Sequence, residues 1–365
     1  MPPEPQTVAA LGEFALIDRL AAALAEVGAA AAPDLLGIGD DAAIWTPTPG
    51  TRAVITTDSL IAGIHFRLDW TSWRDLGHKA LAVNLSDVAA MGARPRLATI
   101  SLALTGAEPV TGLLDLYRGL GALAAAHGVV VAGGDIVASP ERLGLHLTVV
   151  GESWPDADGA LLTRDRARPG DLLAVSGPLG RSAAGLEMLL QSAEGHDVTA
   201  SAVASPVHDL SADRRLPTTD FLAAHHRPTP RIAYGRALVA AGGRVAMDLS
   251  DGLFGDLAKI CARSCVGAII EEGSLPVPDA VRAAFPDEWL RLATRGGEDY
   301  ELLFTVDAAT LDRLRVLCAA RELPPPAIIG VITAPPAAGP PIRLRRMDGR
   351  EEPVGGGAFD HFGGE

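Results

Sequence analysis

The spacing of apolar residues along the first half of the chain changes several times. In LGEFALIDRLAAALAEV, Phe14, Ile17, Leu20 and Leu24 recur at steps of three and four, which predicts an amphipathic helix over 11–26. AVITTDSL (53–60) reads as extended. GHKALAVNLSDVAAMGA (77–93) returns to helical spacing, with Leu81, Leu85 and Val88 on one face and Gly92 near its end. LATISLAL (97–104), VVVAGGD (129–135) and the alternating LGLHLTVVGE (143–152) are β-type runs. A further helical pattern, GLLDLYRGLGALAAAHG (112–128), separates the first two of these runs. The first half thus reads as an α/β unit.

Turn-rich PDADGA (155–160) and RARPGD (166–171) interrupt the pattern, and a second unit begins near them. We place the domains at 1–152 and 153–365. The second unit holds two strand–turn–helix patterns, DLLAVSGPLGRSAAGLEMLL and GRVAMDLSDGLFGDLAKICA, then strands at ELLFTV (301–306) and AIIGVI (327–332). The stretch 191–230 is polar and irregular and reads as a mobile insertion. Proline-rich 324–341 reads as a strand between stiff loops, and no short-period repeat is present. The fold class is α/β with two domains.

With 365 residues, 48% hydrophobic and 21% charged, the chain can build two cores. A net charge of −14 argues against a nucleic-acid partner, because phosphate backbones need a basic surface. Anionic small molecules remain admissible where metals or arginines supply positive charge. Only two lysines are present, Lys79 and Lys259, so the cationic capacity is almost all arginine. The three cysteines, Cys261, Cys265 and Cys318, form no CxxC and suit a reducing compartment, and Cys261 and Cys265, one helical turn apart, read as helix packing. The N-terminal segment carries Glu13, Asp18, Arg19 and Glu26, unlike a signal peptide. The uncharged, largely apolar stretch 119–134 is shorter than the ~20 residues needed to cross a bilayer. A soluble, cytoplasmic protein with no membrane partner is expected.

The chemistry lies in the placement of aspartates. Asp40 and Asp41 follow GIG, Asp58 ends VITTD, Asp87 lies in VNLSD, Asp135 ends VVVAGGD, and Asp248 and Asp251 bracket a turn. A single aspartate at a strand end usually shapes a turn or caps a helix. Gathered together, so many would form a pocket tolerable only with cations in it. Oxygen ligands without clustered His or Cys select Mg²⁺ or Mn²⁺, and Mg²⁺ is commonly shared with substrate phosphates. A polyphosphate such as ATP follows. The chain nevertheless has no Gly-Lys dipeptide, no HRD or DFG, and no GxGxxG after its early strand, which excludes the P-loop, protein-kinase and Rossmann arrangements. SGPLGRSAAG (176–185) reads equally as a phosphate-binding turn or a plain connector. GGEDYELLF (296–304) reads by composition as an exposed turn before a strand, and His65 as a core or turn histidine as readily as a ligand.

In order along the chain, GEFALIDRL, GIGDDAA, TTDSLIAGIHF, GHKALAVNLSDVAAMGARP, VAGGD, LTRDRARPGD, SGPLGRSAAGLEML, RPTPR, MDLSDGL, GGEDYELLFT and FDHF resemble the thiamine-monophosphate kinase family of the PurM-like ATP-binding superfamily. The resemblance implies ATP-dependent phosphorylation of thiamine monophosphate to thiamine diphosphate. It also implies a PurM-like fold whose N-terminal sheet forms a homodimer, with ATP, several Mg²⁺ and substrate meeting between the domains. Carried over by motif, Asp40, Thr56, Thr57, Asp58, Asp87, Asp135, Asp248 and Asp251 are expected Mg²⁺ ligands. Tyr117, Gly134, Arg164 and Ser250 are expected nucleotide contacts. His65, Glu298 and Phe359 are expected substrate contacts, with phenylalanine where the family often has Trp or Tyr. The segment 191–230 is longer than the family usually has, and Asp41 is left as a support for the metal ligands or a turn cap.

Rival readings are other PurM-like enzymes or a catalytically silent nucleotide- or thiamine-binding regulator. A selenophosphate synthetase should carry a reactive N-terminal cysteine, and none precedes Cys261. A hydrogenase-maturation protein should end in a cysteine-containing tail, in contrast to FDHFGGE. An aminoimidazole-ribotide synthetase remains open. A metal-dependent phosphohydrolase would leave GGEDYELLF without a role.

Overall fold

The structure, a computed structural model, describes residues 6–30, 32, 34–39, 41–193 and 217–355. The chain divides into two compact units, Met1–Val88 with Ala93–Ala160, and Ala89–Gly92 with Leu161–Glu365.

The first unit contains α1 (Val8–Leu11), α2 (Glu13–Glu26), β1 (Leu35–Leu36), β2 (Ile44–Trp45), β3 (Ala53–Ile61), α3 (Trp73–Ala90), β4 (Arg94–Leu104), α4 (Val110–Ala126), β5 (Val130–Ala138) and β6 (Gly144–Glu152). Four strands form a sheet in the order β3-β6-β4-β5, antiparallel except for the β4–β5 pair. Alternation sorts its two faces, as period-2 side chains must. Leu145, Leu147 and Val149 of β6 are buried beside Ile100 and Leu102 of β4. Ile55 of β3 and Val137 of β5 are exposed.

The expected first helix begins at Glu13, because Gly12 at φ 86 breaks it from α1. Its buried stripe is Leu16, Leu20, Ala23 and Leu24, while Phe14 stands 81% exposed. The reason is α4. Gly121 lets the α2 side chain of Leu24 approach, and the stripe that meets α4 is one step around from Phe14. Leu81, Leu85 and Val88 of α3 are fully buried, as expected. Helices α3 and α4 touch backbone to backbone. A Cβ on Gly77 would lie 1.9 Å from the Leu116 carbonyl oxygen, and one on Gly119 would lie 1.9 Å from that of Arg74.

The second unit contains β7 (Leu172–Val175), α5 (Arg181–Ala193), α6 (Pro217–His226), α7 (Ile232–Ala240), β8 (Val245–Asp248), α8 (Leu253–Ser264), β9 (Gly267–Glu271), α9 (Asp279–Ala284), α10 (Trp289–Arg295), β10 (Leu302–Val306), α11 (Ala308–Ala320), β11 (Ala327–Thr333), β12 (Ile342–Arg345) and β13 (Glu351–Val354). Seven strands form a sheet in the order β13-β12-β9-β11-β7-β10-β8, with β12–β9 its parallel pair. Leu173, Val175, Met247, Leu257, Ile260, Leu303 and Ile329 fill its core. Cys261 belongs to that core, and burial pushes its thiol up to about 12, so it is inert packing.

Part of the stretch expected to be irregular, 191–230, is helical. Helix α6 starts with proline at its first position, carries Asp220 in its first turn, and anchors Phe221 at 2% exposure. A Cβ on Gly185 of α5 would lie 2.4 Å from the Phe221 carbonyl oxygen, so these two helices also meet at a glycine. Residues 194–216 lie outside the described residues.

Gly119→Ala should destabilise the protein by about 1–3 kcal/mol, because overpacking a backbone contact outweighs alanine's better helix propensity. Chemical denaturation measures this directly. A stabilised variant would show that α3 and α4 separate freely.

Candidate active site

On β3, Thr56 and Asp58 point toward α3, while Thr57 points to the other face of the sheet. Thr56 Oγ1 donates to Asp87 Oδ2 at 2.5 Å. Asp87 is carried by α3 between the fully buried Leu85 and Val88, so the helix core fixes its position. Burial, and then the charge of Asp87, push the Asp58 carboxyl up to about 6. Two carboxylates with a hydroxyl between them form a hard-oxygen donor set, and a divalent cation there would relieve their mutual repulsion. Among the described residues, no three His, Cys, Asp or Glu side chains group as a ready-made metal cage.

Other expected residues of this unit fall elsewhere. The Thr57 hydroxyl donates to the Leu147 carbonyl at 2.8 Å and accepts from Thr148 at 3.2 Å. The β4–β5 register pairs Gly134 with Ile100 and Asp135 with Ser101. Since Ile100 is buried on the α3 side, Asp135 is exposed on the opposite face, apart from Asp58 and Asp87. Gly134 has a packing reason of its own: a Cβ would lie 1.9 Å from the Ile100 carbonyl oxygen. Tyr117 is buried within α4, and burial raises its hydroxyl pKa. His65 closes a turn, its Nδ1 accepting from the Ile61 N–H at 3.1 Å. Asp41 is exposed, and Asp40 lies outside the described residues.

In the second unit, two motifs nearly fifty residues apart are joined along their backbones. The β8–β10 ladder pairs Asp248 with Leu302 and then continues past both strand ends. Leu249 N–H donates to Glu301, Tyr300 N–H to Leu249, and Glu298 N–H to Ser250, each at 2.9 Å. Asp248, Ser250 and Asp251 are thereby brought together with Glu298. Gly297 permits the approach, since a Cβ would lie 2.4 Å from the Ser250 carbonyl oxygen. Glu298 and Tyr300 adopt φ 66 and 50, a left-handed backbone that non-glycine residues rarely hold and that clusters at functional sites.

Residues absent from the expected set hold this arrangement. Asp256, fully buried in α8, accepts from the Ser250 and Asp251 N–H groups at 3.0 Å each. Lys259 donates to Asp251 at 2.6 Å and to Asp256 at 2.8 Å, offsetting the burial that raises the Asp256 pKa. A signal for this pair was available: one of only two lysines stands three residues after an aspartate in a helical pattern. Glu301, 2% exposed, is paired with Arg231 of RPTPR and accepts from Ser176 Oγ at 2.5 Å.

The glycine-rich turn of SGPLGRSAAG holds a carboxylate of its own chain. Asp299 accepts from the Gly180 and Ser182 N–H groups at 2.7 and 3.3 Å, at the start of α5. Burial pushes its carboxyl up to about 7 against those two bonds. A cavity of about 280 Å³ beside it is lined by Arg181, Arg227 and Arg231 against Asp220, Asp299 and Glu301, which leaves little net charge to recruit a phosphate. Arg164 is exposed, with its carbonyl accepting from Ser264 at 2.7 Å. Phe359 lies outside the described residues.

Comparison with known proteins adds to this geometry. The family model for the AIR synthase related protein N-terminal domain matches residues 39–153, and that for its C-terminal domain matches 168–340. The thiamine-monophosphate kinase of Bacillus subtilis is 36% identical over 79% of this chain and 83% of its own. The crystal structure of the thiamine-monophosphate kinase from Stenotrophomonas maltophilia superposes with a TM-score of 0.75 at 38% identity, over 94% of this chain and 98% of that one. AaThiL, solved in complex with AMPPCP and TMP, is 30% identical with a TM-score of 0.70, over 96% and 97%. The two-domain α/β architecture is the PurM-like fold.

In metal-free protein, Asp58 should titrate near 6. That lies above its unfolded value of 3.8, so the folded state keeps a proton that the unfolded chain has lost. This group's contribution to stability therefore declines as pH rises from about 4 to about 6. Asp87→Asn should lower the Asp58 pKa without restoring 3.8, because burial is the larger cause. Carboxyl ¹³C NMR measures both values; an unmoved Asp58 would remove Asp87 as its charged neighbour.

Proposed function

We propose, from the premise that the chain belongs to the thiamine-monophosphate kinases of the AIR synthase related family, that it transfers phosphate directly from ATP to thiamine monophosphate with Mg²⁺ assistance. The enzyme is an ATP-dependent kinase that makes thiamine diphosphate. The observation that carries the mechanism is the joining of DLSD to GGEDYE, which sets Asp248, Ser250 and Asp251 beside Glu298.

The acceptor is itself a phosphate. With a second pKa of about 6 it is ionised near neutral pH, so no side chain need remove a proton. The terminal oxygen of thiamine monophosphate attacks the γ-phosphorus of ATP. A new P–O bond forms there, the bond to the β,γ-bridging oxygen breaks, and ADP leaves with that electron pair. The barrier is the approach of two anions in line, so the protein's task is positioning and charge neutralisation.

Asp40, Thr56, Asp58 and Asp87 in the first unit, and Asp248 and Asp251 in the second, would hold Mg²⁺. Thr57 and Asp135 join them on the resemblance alone. When bound, the metal supplies positive charge to the phosphates of donor and acceptor. Tyr117, Gly134, Arg164 and Ser250 are the proposed nucleotide contacts, and His65, Glu298 and Phe359 the substrate contacts. We also propose a homodimer through the first unit's sheet, supported by the exposed Ile55 on β3, a strand at the sheet's edge. Among the described residues no helix is long and apolar enough to cross a membrane, and we place the enzyme in the cytoplasm.

Asp87→Asn and Asp248→Asn should each lower kcat by about 100-fold or more, a loss typical of removing charge stabilisation at a transferring group, while the chain stays folded. Coupled ADP release and direct detection of thiamine diphosphate at saturating Mg²⁺ check this. Full activity in both variants would overturn the metal reading, and a trapped labelled phosphoenzyme would overturn direct transfer.

A further inference from the structure

The Glu298–Asp299 pair is held from two sides. Asp299 is fixed to the start of α5 through the Gly180 and Ser182 amides. Glu298 turns elsewhere, and its Oε2 lies 3.2 Å from His225 Nδ1 in the last turn of α6. The same Nδ1 lies 3.2 Å from Ser182 Oγ. His225 is 7% exposed, whereas the Glu298 side chain is 29% exposed, so the carboxylate is anchored in the protein and still open to solvent.

Each part of Glu298 has a fixed partner. Its main chain, at φ 66, is tied to Ser250 O by its own N–H. Its side chain would otherwise rotate over several rotamers, and a carboxylate that must meet a ligand loses affinity to that freedom. Next to a carboxylate, Nδ1 of His225 carries the ring proton and donates it in a hydrogen bond. Held at one oxygen in this way, the side chain still stands 29% exposed.

We propose that His225 is a positioning residue for the acceptor substrate: its Nδ1–H orients the Glu298 carboxylate toward the cationic, amino-bearing ring system of thiamine monophosphate. This rests on the reading of Glu298 as a substrate contact. On this reading His225 acts through Glu298 alone, so its effect falls on one substrate. An asparagine side chain places its amide N–H close to where Nδ1 sits, whereas glutamine places it near Nε2.

Steady-state kinetics on the full-length enzyme, varying each substrate separately, test this. His225→Leu should raise KM for thiamine monophosphate by about tenfold or more, the loss of a hydrogen bond to a charged group, with KM for ATP and kcat within about twofold. His225→Asn should recover most of the loss and His225→Gln little of it; if His225→Leu does not fold, the Asn–Gln contrast carries the test. An unchanged KM in His225→Leu, an equal rise in both KM values, or no difference between Asn and Gln would overturn the proposal. Glu298→Gln separates the two levels of the argument. If it leaves KM for thiamine monophosphate unchanged, the reading of Glu298 fails and the inference with it. If it raises that KM while His225→Leu does not, only the inference fails.

Discussion

The backbone pairing of β8 with β10 is the constraint on which the second unit's chemistry depends. A ladder that ended at Asp248 and Leu302 would leave DLSD and GGEDYE as two independent loops. Three further N–H···O bonds bind the loops to each other, and the cost is left-handed backbone at Glu298 and Tyr300. Gly297 and Gly252 allow the close packing: a Cβ on either would come within 3 Å of a neighbouring backbone atom. The side chains that matter are thus set by main-chain bonds, the least adaptable part of the fold.

Three acids of the second unit are each answered by a specific partner. Asp256 has two amides and Lys259, Asp299 has the first amides of α5, and Glu301 has Arg231 and Ser176. Burying a carboxylate is tolerable on those terms, because its charge is matched and its lone pairs are occupied. Asp58 beside Asp87 stands apart. Its carboxyl is pushed up to about 6, the signature of burial next to a like charge. Burial raises Asp256 and Asp299 as well, but each of those has amide partners, whereas the charged neighbour of Asp58 is a second carboxylate.

Much of this was legible in the sequence. Periodicity located β3, α3, β4, α4, β5 and β6, because each buries one face and so must show it as a repeat. The short strands β9, β12 and β13 escaped: IRLR and EEPV carry too few apolar residues to signal a face. Motif order pointed to Asp58, Asp87, Asp248, Ser250 and Glu298, which the structure gathers into two local groups. What the sequence could not convey was which face of a strand each motif residue takes. Asp135 and Thr57 occupy the face opposite Asp58, set by a register shift between Ala98 and Thr99 and by plain alternation. Nor, apart from the Asp256–Lys259 spacing, could it convey the supports. Asp256, Arg231 and His225 act through contacts spanning from 5 to more than 70 residues, and no local pattern records those.

The supply of positive charge bears on how two phosphates can be brought together here. The chain has two lysines, and Lys259 is already shared between Asp251 and Asp256. Arg231 is taken by Glu301, and Arg94 and Arg96 by the buried Glu152. Arg164 is exposed and could meet one anion. A net charge of −14 makes the shortage general. With this charge distribution, the proposed Mg²⁺ would supply the positive charge that brings a phosphate acceptor up to ATP. Hard-oxygen side chains such as Thr56, Asp58 and Asp87 are what such cations require.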